Sequence, residues 1–361
     1  MHINPDIIFI EEIRQQTGTS FSACMQCGSC SVVCKLSPEE NPFPRKEMIW
    51  SAWGLSDKLM GDPDIWLCHQ CGDCSDTCPR GVRPADVLAA LRSQTYQKLS
   101  GPSFLYKLVS KPALLPLAIL IPVVLILAIL FLAGTTTIPE GPVDYSKFFP
   151  HFHLNMFFSI LLLLVVIGMI PGLRKFTRQM RQNMPGTNKM TGLRSFFSVL
   201  PDILLHRNFN KCETRKSARI AHLLVFSGFI ILLLVTLVAI VNVIFFEYPM
   251  SHYHPAKMAG NIASLMLLAG LSMMILHRLR KKDRIASNYT DWSFLVSLLL
   301  LTITGSLTQT ARFQNWDTAY FIYFIHLVLV WMVIIYLPYT KFGHVIFRLS
   351  AMTYSRRIGR G

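Results

Sequence analysis

Acidic residues are scarce in this chain: 20 Asp and Glu stand against 35 Lys and Arg, and charged residues of both signs make up only 15% of 361 positions. That excludes a chain kept disordered by high charge and low hydrophobicity. Cysteine almost vanishes after residue 78, where Cys212 alone follows, so no disulfide framework holds the larger part of the chain. No G-x-G-x-x-G loop occurs in the cysteine-rich segment, which leaves any flavin to another chain. The opening Met1-His2-Ile3-Asn4-Pro5-Asp6 has neither a basic nor an apolar leader region, so no secretory signal is expected and the cysteine-rich head is expected in the cytoplasm. Basic stripes with interleaved aromatics are missing from that head, and despite a formal net charge of +15 no nucleic-acid partner is expected.

What is abundant is apolar: 52% of the chain, gathered after Lys111 into runs of the length that crosses a bilayer core. Six spans are read, near 113–133, 152–172, 220–246, 257–277, 291–311 and 319–338. Pro116 and Pro122 sit inside the first. Lys and Arg collect between spans: Arg174, Lys175, Arg178 and Arg181 in one loop, Arg278, Arg280, Lys281, Lys282 and Arg284 in another, and Arg356, Arg357 and Arg360 in the tail. The loops 134–151, 247–256 and 312–318 hold almost none. Excess Lys and Arg marks the side that is not translocated, so a multi-pass protein of the cytoplasmic membrane with both termini inside is expected.

In the head, Asp6 to Gln16 reads as a short amphipathic helix with Ile7, Ile8, Ile10 and Ile13 at broadly helical spacing and Gly18 as its stop. Pro38, Pro42 and Pro44 mark an irregular stretch, and Lys46 to Trp53 reads as a helix between two metal sites. Ser100, Gly101 and Pro102 make a hinge, which divides the chain into a head, 1–100, and a membrane domain, 101–361.

The cysteines carry the strongest chemical signal. Cys24, Cys27, Cys30 and Cys34 form one C-x2-C-x2-C-x3-C run, and Cys68, Cys71, Cys74 and Cys78, followed by Pro79, form a second. Three cysteines on a tight loop reach three irons of a 4Fe–4S cube, and in two-cluster ferredoxins the fourth serves the other cluster. The expected sets are therefore Cys24, Cys27, Cys30 and Cys78 for one cluster, and Cys68, Cys71, Cys74 and Cys34 for the other. Gly28 and Gly72 free the backbone to wrap each cluster. Paired zinc sites are the competing reading, but zinc usually takes two ligand pairs separated by a longer insert. Cys212 is a spare thiol.

Ionisable groups within membrane spans are costly and call for a functional reading. His222 opens the third span, His326 lies near the outer start of the sixth, and His344 lies beyond its inner end. Eighteen residues of continuous helix would set His326 and His344 roughly 27 Å apart on one face, although Pro338 lies between them. That suits two haems stacked across the membrane, with His222 and His344 on the inner one. His326 would ligate the outer haem with His254, or with His153 or His252; His151 also lies at the outer surface. His277, beside Arg278 and Arg280, reads as a solvated side chain.

The segment Phe9-Ile10-Glu11-Glu12-Ile13 leading into Cys24-Met25-Gln26-Cys27-Gly28-Ser29-Cys30, with Cys68-His69-Gln70-Cys71-Gly72-Asp73-Cys74 later, resembles the iron–sulfur C subunit of heterodisulfide reductases. The spans after about residue 150 resemble the cytochrome b subunit of those enzymes and the gamma subunit of respiratory nitrate reductases. A single chain joining the two is similar to the C-subunit family of quinone-interacting membrane-bound oxidoreductase complexes. The resemblance implies an all-α protein: an α-helical, ferredoxin-like two-cluster domain followed by a six-helix transmembrane cytochrome b bundle. It implies two cytoplasmic flavoprotein partners, menaquinone as membrane substrate and electron delivery toward adenylylsulfate reductase. Lys257, near the outer start of the fourth span, matches a lysine at the quinol site of the resembling nitrate reductase subunit. The resembling pattern has a second histidine ten residues past the one matching His222, where this chain has Leu232. The competing functions are membership of a heterodisulfide reductase or of a sulfite-reductase-associated membrane complex, a transporter with a regulatory cluster domain, and a cluster-based redox sensor.

Overall fold

The computed structural model describes residues 4–18, 21–211, 216–246, 253–280 and 287–360, and among these residues it contains helices and turns but no strand. In the head, α1 (Ile7–Thr17) begins at Asp6, whose carboxylate accepts from the Phe9 amide at 2.9 Å, and ends at Gly18 in the left-handed region. Caps of this kind contribute about 1 kcal/mol. The buried face is Phe9, Ile13 and Thr17; Ile7 and Ile8 are 75% exposed, so the expected four-isoleucine face is split between core and surface.

Five short helices, α2 (Ser29–Val32), α3 (Arg45–Ala52), α4 (Ser56–Met60), α5 (Asp64–Leu67) and α6 (Asp73–Asp76), frame the cysteine runs, and α7 (Pro84–Leu99) backs them. Pro84 occupies the first turn of α7, where a missing N–H costs nothing. Beside α3 lies a buried ion cluster: Lys46 Nζ is 2.7 Å from Asp64, 2.9 Å from Asp62 and 3.3 Å from Glu47, and Arg360 reaches Asp64 at 3.2 Å. Burial, then the neighbouring Asp62 charge, push the Glu47 carboxyl well above the usual carboxylate range. Burial alone would lower Lys46, but Glu47, Asp62 and Asp64 outweigh it and raise the ammonium. Burial, then Asp64, raise Asp62 as well, so Lys46 and Arg360 face a cluster in which two carboxyls hold their protons more tightly than free ones do.

The rest of the chain is α8 (Ser103–Ser110), α9 (Leu115–Leu132), α10 (Tyr145–Phe148), α11 (His151–Asn183), α12 (Gly192–Leu204), α13 (Lys216–Phe245), α14 (Pro255–Arg280), α15 (Tyr289–Phe313), α16 (Ala319–Ile335) and α17 (His344–Arg357). Five stretches, Pro112–Leu132, His151–Asn183, Ala218–Phe245, Pro255–Arg280 and Tyr289–Phe313, are long and apolar enough to cross a membrane, as a multi-pass membrane protein requires. The sixth apolar run is shorter than expected. It stops at Ile335 after 17 residues, and tight turns at Leu337–Tyr339 and Lys341–Gly343 follow around Pro338. His326 and His344 therefore lie on separate helices, and the five-turn, same-face relation expected of one continuous helix does not exist. Proline removes a helical donor and clashes with the preceding turn, which is why the run breaks there.

The expected hinge is instead a clasp. The Ser100 hydroxyl donates to the Pro338 carbonyl at 2.8 Å, and the Tyr339 hydroxyl donates to the Gly101 carbonyl at 2.7 Å. Trp66, just before the second cysteine run, meets Tyr96 and Phe176 edge-on at 5.8 and 5.9 Å. One hydrophobic core thus continues from head to membrane helices.

Candidate functional site

Both cysteine runs are wrapped by the same local device. Gln26 and Gln70 have φ of 57° and 51°, and Gly28 and Gly72, which cap α2 and α6, have φ of 85° and 96°. A non-glycine residue held left-handed costs on the order of 1 kcal/mol, and the two glutamines bear that cost at matching positions. In return, the Gln26 side-chain amide donates to Cys24 Sγ at 3.3 Å and the Gln70 backbone amide to Cys68 Sγ at 3.2 Å. Such donors stabilise charge on a metal-bound sulfur.

Because α2 packs on α6, the fourth cysteine of each run is carried toward the other run. One small cavity is lined by Cys24, Cys27, Cys30 and Cys78. Cys34 lies with the second run: burial pushes its thiol up to about 11, with Cys68 and Cys71 adding to the shift. Burial, then Cys68, Cys71 and Cys34, raise Cys74 further. Thiols crowded in this way ionise when a metal replaces their protons, so each quartet suits a metal cluster. The first run lies at the surface, with Met25 61% and Val32 88% exposed, and there the Ser29 hydroxyl and amide lower the exposed Cys27 thiol.

The second run faces the membrane helices. His69 is buried between Cys68 and Gln70, Arg348 on α17 donates to its ring, and the ring lies edge-on to Phe209 at 4.2 Å. Phe209 is 5.4 Å from His206 and 5.5 Å from His222, centroid to centroid. His222 and His344 then face each other with centroids 6.1 Å apart and planes at 87°. Metal–imidazole bonds are about 2 Å long, so a separation of this size leaves room for the pair to hold one metal ion between them.

Hydrogen bonds decide which nitrogen each ring presents. The Leu204 carbonyl can only accept, so His206 Nδ1, 3.3 Å away, carries the proton and its Nε2 is the acceptor. The group 2.7 Å from that Nε2 is His222 Nδ1, which therefore donates. His344 Nδ1 donates in the same way to the Lys341 carbonyl. Both rings keep a bare lone pair on Nε2, the state a metal ligand requires. Beside them opens a cavity of about 280 Å³, lined also by Cys68, Arg92, His277, Arg278 and Lys341. Asp291 holds Lys341 at 2.6 Å and Arg278 at 3.0 Å on its wall. His277, expected to be solvated, belongs to this cavity.

His206, His69 and Arg348 are not legible as site residues in the sequence. Only the i to i+4 spacing of His344 and Arg348 hints that both face one way.

The outer residues do not assemble in the same manner. His326 Nδ1 is 3.0 Å from the Thr304 hydroxyl, and its Cε1 lies 3.0 Å from where a Cβ on Gly305 would be, so the missing side chain gives the imidazole room. Among the described residues no imidazole pairs with it. His254 is half-buried just before α14, its Nδ1 accepting from the Ala256 amide at 3.2 Å, and Lys257 follows in the first turn. His153 is exposed on α11 and His151 half-buried. His252 and Cys212 lie outside the described residues.

Known proteins match the head, the membrane half, and a stretch that runs through both. The family of 4Fe-4S dicluster domains matches residues 20–82, so the head is a two-cluster iron–sulfur domain. The citrate utilization protein B family matches residues 107–360. The chain belongs to the citrate utilization protein B family. Citrate utilization protein B of Escherichia coli is 25% identical over 306 residues, 79% of either chain. The head is 36% identical over 92 residues, a quarter of this chain, to the C subunit of the H(2):CoB-CoM heterodisulfide,ferredoxin reductase of Methanothermobacter marburgensis. It is 36% identical over 85 residues, 23% of this chain, to a protein of Archaeoglobus profundus that is itself like the C subunit of heterodisulfide reductase. The match spans about half the length of these two relatives, 49% and 45%. A two-cluster head of this kind on a membrane domain gives this citrate utilization protein B family member an electron-transfer role.

Proposed function

We propose that the chain relays electrons between soluble flavoprotein partners and a quinone, with menaquinone as the membrane substrate, through two 4Fe–4S clusters and haem b. Cys24, Cys27, Cys30 and Cys78 hold one cluster, and Cys68, Cys71, Cys74 and Cys34 the other. His222 and His344 would hold an inner haem through their Nε2 atoms. His326 serves an outer haem, with His254 or, failing that, His153 or His252. Bound at these residues, the groups supply one-electron reduction and reoxidation. The single observation that carries the reading is the His222–His344 pair: 6.1 Å between ring centres, with both Nδ1 atoms committed to hydrogen bonds.

The chain's own residues set the route. The first cysteine run, which reaches the surface at Cys27, meets the soluble partners. The second run, through His69, Arg348 and Phe209, abuts the imidazole pair. In this reading residues 1–100 are the cytoplasmic head and 101–361 a six-helix bundle, with α16 and the turn to Tyr339 as the sixth crossing and both termini inside. Quinone binds at the outer half, near His254, Lys257 and His326. Its electrons pass through two flavoprotein partners toward adenylylsulfate reductase.

A second reading is favoured by a relation that runs through both halves, that to citrate utilization protein B of Escherichia coli. Here the soluble partner acts in citrate utilization and electrons run toward the quinone. Both readings require haem. A dithionite-reduced minus oxidised spectrum of the purified chain should contain the narrow α-band of a low-spin b-type haem above broad iron–sulfur bleaching. A spectrum with bleaching alone would refute the haem.

A further inference from the structure

His206 is placed unlike any other histidine among the described residues. It follows α12 in a turn, is 5% exposed, and has φ of 52°. A non-glycine residue in the left-handed region persists where its surroundings over-determine it. Here the surroundings are specific. The Leu204 carbonyl takes the Nδ1 proton, the rings of Phe209 and Phe226 lie 5.4 and 5.3 Å away, and Arg219 of α13 holds the Leu205 carbonyl at 3.2 Å. All of this aims one atom, Nε2, at His222 Nδ1, 2.7 Å away.

We propose that His206 is a positioning residue for His222: a neutral imidazole acceptor that fixes the His222 tautomer and ring plane and increases electron donation from its Nε2. This inference rests on the haem reading above. Partners of ligating histidines orient the ring and raise its basicity, and hydrogen bonding around a metal centre is one of the levers on its potential. A more basic axial imidazole stabilises the oxidised, more positive iron, so His206 holds the inner haem at a lower midpoint potential than His222 alone would. The contrast lies within the same pair: His344 has only a backbone carbonyl in this place. A carbonyl cannot be tuned by substitution, whereas an imidazole on a separate element also couples the ligand to the position of α12.

The test uses the full-length chain in detergent. Its readouts are haem content, the low-spin paramagnetic resonance signal and a potentiometric titration of the haem band, for wild type, His206→Leu and His206→Gln. His206→Leu is expected to retain haem with a raised midpoint potential and altered low-spin g values. His206→Gln, whose side-chain carbonyl can accept from His222 Nδ1, is expected to restore both toward wild type. Haem at wild-type potential with wild-type g values in His206→Leu would overturn the proposal. If His206→Leu retains no haem, His206→Gln decides: haem at wild-type potential supports the role, and a raised potential or no haem overturns it. Wild-type chain with clusters but no haem would defeat the haem reading itself, a failure seen before any variant is made.

Discussion

The indole of Trp66 stacks on the ring of Phe347, centroids 5.1 Å apart and planes 22° from parallel. Trp66 stands two residues before Cys68, and Phe347 three residues after His344, so this contact sets the second cysteine run at a fixed distance from the candidate haem ligands. Electron transfer across a junction needs such fixity, and the Ser100 and Tyr339 hydrogen bonds add to it.

Phe347→Ala should loosen that junction. Removing a buried aromatic ring costs about 3–5 kcal/mol, and here the loss falls between head and membrane helices. We expect a lower melting temperature and faster proteolytic cutting near Ser100–Pro102. Wild-type melting and cutting would mean that the head is held by other contacts.

Crossed ligation makes a separate prediction. Cys34 belongs in sequence to the first run but lies with Cys68, Cys71 and Cys74. Cys34→Ser should therefore alter the paramagnetic resonance signal of the second cluster and spare the first. A change confined to the cluster of Cys24, Cys27 and Cys30 would contradict the assignment.

The ion cluster predicts a pH dependence. The folded-state pKa of Glu47 is raised above its ordinary 4.5, so its contribution to stability is complete below 4.5 and is lost as pH rises through the raised value. Glu47→Gln should remove that loss and match or exceed wild type at neutral and alkaline pH. Asp64→Asn instead strips a partner from both Lys46 and Arg360 and should cost about 3–5 kcal/mol. Melting curves across pH test both, and equal damage from the two substitutions would contradict a raised Glu47 carboxyl.

Much of this is legible in the sequence, and the exceptions share a cause. The helix around Lys46, the end of α7 at Leu99 and the nearness of His222 to His344 follow from caps, breakers and spacing, which act locally or at known depth. The clasp at Ser100 reads as a hinge because small residues and proline give the same signal whether a segment swings or is tied by distant groups such as Pro338 and Tyr339. His206 is invisible for the same reason: its role depends on His222, sixteen positions away across a turn. The sixth run reads too long because hydropathy continues through Pro338 while the helix does not.

Lys257 tests the quinone side. A carbonyl accepting electrons needs a donor, and losing one hydrogen bond of about 1.4 kcal/mol slows a step roughly tenfold. Lys257→Ala should slow haem reduction by a menaquinol analogue to that extent, with haem and cluster spectra unchanged. Unaltered quinol kinetics would move the site inward, toward the cavity beside His277.

The relay itself is tested most directly by rapid mixing of His344→Ala with a menaquinol analogue, following haem and cluster absorbance separately. In wild type the haem bands should appear first and cluster bleaching should follow. In the variant the clusters should still bleach with dithionite but no longer with quinol, because the inner station between them and the membrane is gone. Clusters reduced by quinol at the wild-type rate in His344→Ala would contradict the account.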